Sequence, residues 1–161
     1  MQTLNSEALH EYLRWRDFVF SVTSTQVEDA PGQPDRVYGV IMDVGLSNDF
    51  VITITAFASG ESSLRTTVGG GALGLGGDPR IAEHAKHIVA LAQSLKGNAR
   101  PTDRQNLPLG KGVNFYFLTR TGLLLSESTV EETFSRAHPF HEMFSRFTAI
   151  KSRSEELLKG S

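Results

Sequence analysis

Apolar and polar positions along this chain follow two rhythms, and the switches between them mark out its elements. Leu9, Tyr12, Leu13 and Phe20 share a stripe at a spacing of about 3.6 residues, broken by Arg16. Ser6 can cap this first helix, and Glu7 suits its positive end. Its far limit is open, because Phe18–Thr23 is aromatic and β-branched and reads equally as a strand. Ala30-Pro31-Gly32-Gln33-Pro34-Asp35 is a loop. Val37–Val44 is apolar on both pleat faces, with Val37 and Ile41 on one and Tyr38, Val40, Met42 and Val44 on the other. That pattern predicts a central strand covered on both sides. Phe50–Ala58 alternates as a half-buried strand does. Ser63–Val68 sets Leu64, Thr66 and Val68 against Arg65 and Thr67, which suits an edge strand.

The second half opens with Gly69–Gly77, which holds six of the fifteen glycines. A helix follows, with Asp78 as N-cap and Pro79 at its first position. Ile81, Ala85, Ile88, Ala92 and Leu95 make its buried stripe, and Gly97 suits its end. Asn98–Gly112 reads as a long polar loop, Val113–Thr119 as a second central strand and Leu123–Leu125 as a short strand. Ser128 and Glu131 can cap a brief helical turn. A last helix starts at Pro139, carries Phe140, Met143, Phe144, Phe147 and Ile150 on one broad face, and runs on to Leu157 and Leu158.

The order is therefore helix, three strands, helix, two strands, helix. Two strands apolar on both faces need cover on both faces, so the expected fold is α+β: a five-stranded antiparallel sheet between helix layers. This element order resembles the profilin-like folds, including roadblock-type domains. Those also set an antiparallel sheet among terminal helices and a middle helix. Roadblock domains place two strands before the middle helix and three after it, where this chain has three and then two. The resemblance implies a mostly non-catalytic, dimerising module and carries over no functional residues.

Composition narrows the function classes. A length of 161 residues predicts one domain, 1–161, able to bury its own core. With no cysteine, disulfide frameworks, thiol catalysis and cysteine-held metal are excluded. A net charge of −2 argues against coating nucleic acid, and Arg100, Arg104 and Lys111 have no stacking aromatics beside them. The N-terminus lacks the apolar core of a signal peptide, and no apolar run reaches membrane-spanning length. A soluble, cytoplasmic protein is the expectation.

Candidate chemistry is sparse. Gly69-x-Gly71-x-x-Gly74 matches the dinucleotide fingerprint in form, but Asp78 should occupy the following helix terminus with its own carboxylate and repel phosphate. A phosphate-binding Walker loop fails too, since Gly77-Asp78 stands where Lys and Ser or Thr are needed. The segment reads first as structural and second as an anion or small-ligand cradle formed by Gly70, Gly71, Gly74, Gly76 and Gly77. His84 with His87, and His138 with His141, are two pairs without a third ligand in register, so no metal is expected. Asp43 ends a central strand and is read as capping the Gly45 turn rather than as catalytic. No nucleophile motif is present, Glu131 and Glu132 are adjacent and diverge, and no cofactor is expected. The functional expectation is a non-enzymatic interaction or scaffold domain that self-associates, most simply as a homodimer. The alternative is a ligand-binding domain built on Gly69–Gly77.

Overall fold

The computed structural model describes residues 6–27 and 33–160. Helix α1 spans Ser6–Phe20 and a single turn, α2, spans Ser24–Val27. Strands β1 (Gly39–Ser47), β2 (Phe50–Phe57), β3 (Ser62–Thr66) and β4 (Gly71–Ala72) follow, then helix α3 (Pro79–Leu95). Strands β5 (Arg100–Thr102), β6 (Gly112–Thr119) and β7 (Gly122–Thr129) precede the short α4 (Val130–Phe134) and the long α5 (His141–Lys159). Part of the expected Ala30–Asp35 loop lies outside the described residues. All strands belong to one antiparallel sheet in the order β4-β3-β2-β1-β6-β7-β5.

The α+β class and the antiparallel sheet stand, but the sheet has seven strands rather than five. The two additional strands are β4 and β5, of two and three residues. Neither is long enough to show a period of its own, and each exists because β3 or β7 offers it a ladder. The segment expected at the edge, Ser63–Val68, is therefore an inner strand ending at Thr66, and β4 forms the edge beyond it. The short strand expected at Leu123–Leu125 runs for eight residues, held in register along β6. Phe18–Phe20 continues α1, because Val19 packs against the sheet at helical spacing from Tyr12.

Each face of the sheet has its own cover. Val40, Met42 and Val44 of β1, Ile54 of β2, and Phe115 and Phe117 of β6 face α3 and α5. These helices answer with Ile81, Ala85 and Ile88, and with Met143, Phe147 and Ile150. Phe140, just before α5, stacks on Phe115 with ring centroids 5.0 Å apart. The stripe of α5 is thus buried in the core. On the other face Ile41, Phe57, Tyr116 and Leu118 pack against Val19 and Val27. Tyr38 joins this second cluster and Val37 the first, opposite to the sequence pattern; both precede β1, which begins at Gly39.

Local signals explain the helix ends. Oδ1 of Asp78 accepts from the N–H groups of Arg80 and Ile81, both at 3.1 Å, as expected of an N-cap. Helix α3 runs into a 3-10 turn, Lys96–Asn98, so Gly97 is not a left-handed terminator. Thr129 rather than Ser128 caps α4, accepting from the N–H of Glu132 at 3.1 Å. Pro139 precedes α5, which begins at His141.

Candidate interaction surface

Helix α1 is fastened to the second sheet face by polar groups as much as by apolar ones. Tyr12, Arg16 and Val19 are its buried residues. Arg16 reaches Asp43 on β1, with Nη2 2.5 Å from Oδ2 and Nε 3.3 Å from Oδ1. Asp43 is wholly buried, and its Oδ1 also accepts from Thr53 Oγ1 at 2.6 Å. The Tyr12 hydroxyl lies 2.5 Å from the same Thr53 oxygen. Because Thr53 gives its proton to Asp43, Tyr12 donates to Thr53, and the polar groups form one relay onto a carboxylate. Burial and the Asp43 charge push the Tyr12 hydroxyl far above its usual range. Burial works against the Arg16 charge, but Asp43 outweighs it and holds the guanidinium above its ordinary value.

The break that Arg16 made in the helical stripe is therefore the place where α1 is anchored, and Asp43 serves this pair instead of the Gly45 turn. Nothing local in sequence links residues 27 positions apart. The only signal was a base inside an apolar stripe matched by an acid inside a doubly apolar strand. Arg16 also ties down the segment between β5 and β6. Its Nη1 donates to the Gln105 carbonyl at 2.6 Å. The Asn106 carbonyl accepts from Asn114 Nδ2 at 3.1 Å and from the Tyr116 hydroxyl at 2.5 Å. The same segment presses on β1: a Cβ at Gly45 would lie 2.0 Å from the Gly110 carbonyl oxygen, so only glycine permits the approach.

Two concave features are present, and the smaller one borders α1. One is a basin of about 1090 Å³ between the 104–111 segment and the β6–β7 surface, with Asn114, Tyr116 and Leu125 in its lining. Arg100, Arg104 and Lys111 contribute bases to it, and Glu127 and Glu131 acids. Arg100 is paired with Glu127. The other is a smaller, apolar groove of about 310 Å³ between α1, α2 and the β3–β4 side, lined by Trp15, Phe18, Val19, Val22, Val27, Phe57 and Leu73.

The glycine segment forms a hairpin and a helix entry. Gly69, Gly70, Gly71 and Gly74 have positive φ. At Gly71, with φ +150°, a Cβ would come 2.1 Å from the Leu64 carbonyl oxygen. Gly76 N–H donates to the Glu61 carboxylate at 3.0 Å, which places a negative charge within the segment. Gly77 N–H bonds back to the Gly74 carbonyl, and the start of α3 is satisfied by Asp78. Asp78 Oδ2 in turn accepts from Arg153 Nη2 of α5 at 2.9 Å.

The histidines remain as separate contacts. His84 Nδ1 lies 3.2 Å from Arg146 Nη1, and His87 Nε2 lies 3.7 Å from Glu142. His141 Nδ1 bonds the Thr133 carbonyl. His138 Nε2 meets Ser128 Oγ at 3.1 Å, the geometry of a nucleophile and base. However, His138 Nδ1 accepts from the Phe140 N–H, so the neutral ring carries its proton on Nε2 and donates to the serine. In that tautomer it takes no proton from Ser128. Among the described residues no group of three or more His, Asp or Glu could hold a metal ion, and no helix is long and apolar enough to cross a membrane. No family model, curated protein or solved structure matches this chain.

Proposed function

We propose that this chain is a non-enzymatic interaction domain that associates with a second copy of itself. One contrast supports the reading best. The polar side chains between α1 and the sheet are bonded to one another inside the fold, whereas two large apolar side chains, Phe18 and Leu73, stand in water at one groove. Asp43, Thr53, Tyr12 and Arg16 are closed into a buried relay with no open position for a substrate. Phe18 is 62% exposed and Leu73 55%, both lining the apolar groove. Contiguous apolar surface of this kind marks protein contacts.

The two sheet edges are poorly suited to the contact. At one end β4 offers only Gly71 and Ala72. At the other, β5 carries Pro101, which has no N–H to give a new strand. The apolar stripe of α5 is buried against the core, and the contact is assigned to the surface beside α1, where exposed Phe18 and Leu73 adjoin the apolar groove. Sedimentation velocity from about 1 to about 100 μM, the range of ordinary specific affinities, tests the reading. A mass rising from 17.6 kDa towards twice that value supports it. A mass constant at the monomer value refutes it.

A further inference from the structure

We infer that two copies of this chain pair about a two-fold axis through the outward face of α1 and the apolar groove beside it. The inference rests on the self-association proposed above and names its surface and register. Tyr12, Arg16 and Val19 point at the sheet, so helical periodicity turns Arg14, Asp17 and Phe18 away from it. The groove next to them is lined by Trp15, Val22, Phe57 and Leu73. Phe18 stands at its lip, 62% exposed. A ring projecting beside an apolar hollow on the same patch is what a self-complementary contact requires, because the two-fold carries each ring towards the other copy's hollow.

The charges on this face match themselves in the same way. Arg14 and Asp17 are exposed, and neither makes an ion pair with any described residue. Two antiparallel α1 helices related by an axis between positions 15 and 16 set Arg14 of each copy against Asp17 of the other. Opposite charges at equal distances from the axis are paired twice, and a shifted register would set like charges together. The same operation keeps both Phe18 rings on the side of the helix pair where both grooves lie. It brings Leu13, 36% exposed, towards its own symmetry mate on the other side. The chain nearest the groove in sequence, Glu28-Asp29-Ala30-Pro31-Gly32, has no aromatic or branched aliphatic side chain with which to fill it. A second copy does.

Sedimentation velocity on the full chain and four variants tests this. Phe18→Ser weakens dimerisation about tenfold or more, as truncation of a central aromatic anchor does. Arg14→Glu and Asp17→Arg each weaken it about tenfold by facing like charges. The double reversal Arg14→Glu/Asp17→Arg restores opposite charges across the axis and returns the constant to within about threefold of the parent. All three positions are exposed, so the thermal melts of the isolated variants stay close to the parent's. A parent dimer indifferent to Phe18→Ser and to both single reversals overturns this surface while leaving self-association standing. Single reversals that the double variant fails to rescue overturn the two-fold register. A parent chain monomeric at every concentration overturns both the inference and the function on which it rests.

Discussion

Replacing Arg16 by Met isolates the tether between α1 and the sheet. The substitution keeps most of the side chain's length and removes the charge. Among the described residues Asp43, wholly buried, then keeps only the Thr53 hydroxyl as side-chain donor to its carboxylate, and the Gln105 carbonyl loses its Arg16 donor. The side chains of Arg16 and Asp43 are 5% and 0% exposed, so water does little to screen the loss. Breaking one side of such a buried pair costs about 3–5 kcal/mol. A chain of 161 residues has a stability of about 8–15 kcal/mol, so the variant still folds. Its melting temperature falls by about 6–20 °C, at about 2–4 °C per kcal/mol for this size. Asp43→Asn alone has a comparable effect, because it leaves Arg16 charged and unneutralised. In Arg16→Met/Asp43→Asn both charges are gone, and the double variant recovers at least about 2 kcal/mol relative to the sum of the singles. Urea unfolding followed by circular dichroism and by the fluorescence of Trp15, whose ring lies 6.2 Å from that of Tyr12, measures all four proteins. Single-variant costs below about 1 kcal/mol, or strict additivity in the cycle, would refute the tether.

Other outcomes follow from local geometry. Asp78→Ala lowers the melting temperature and Asp78→Ser recovers part of the loss, since serine restores the cap but not the bond to Arg153; equal melting of Ala and Ser variants contradicts this. The bond from Arg153, with the helix N–H groups, holds the Asp78 carboxyl below its usual range, so its contribution is complete above the ordinary carboxylate range and is lost as pH falls through the lowered value. Burial, then Arg146, holds His84 below its usual 6.5, so its contribution is complete above about pH 6.5 and declines as pH falls below that; His84→Gln flattens this slope, and an unchanged slope counts against the contact. Gly71→Ala destabilises more than Gly70→Ala or Gly74→Ala, because all three need positive φ but only Gly71 would also drive a Cβ into the Leu64 carbonyl; equal melts for all three would contradict the collision.

What the amino-acid order settled by itself lies within a few residues of each signal. The Asp78-Pro79 start of α3 was legible because a side-chain oxygen and the amides it caps are two and three residues apart. The stripes of α3 and α5 and the two doubly apolar strands followed from period and hydrophobicity, which act residue by residue. Tertiary structure decided the rest. Strands β4 and β5 are too short to have a propensity worth reading, and they pair because longer neighbours present free backbone groups. The Arg16–Asp43 pair, the hold on the 104–111 segment across 89 positions, and the groove between α1 and β3–β4 join residues far apart in sequence. Their stabilisation comes from desolvation and mutual alignment, which exist only once the sheet has brought those groups together, so no local pattern of residues encodes them.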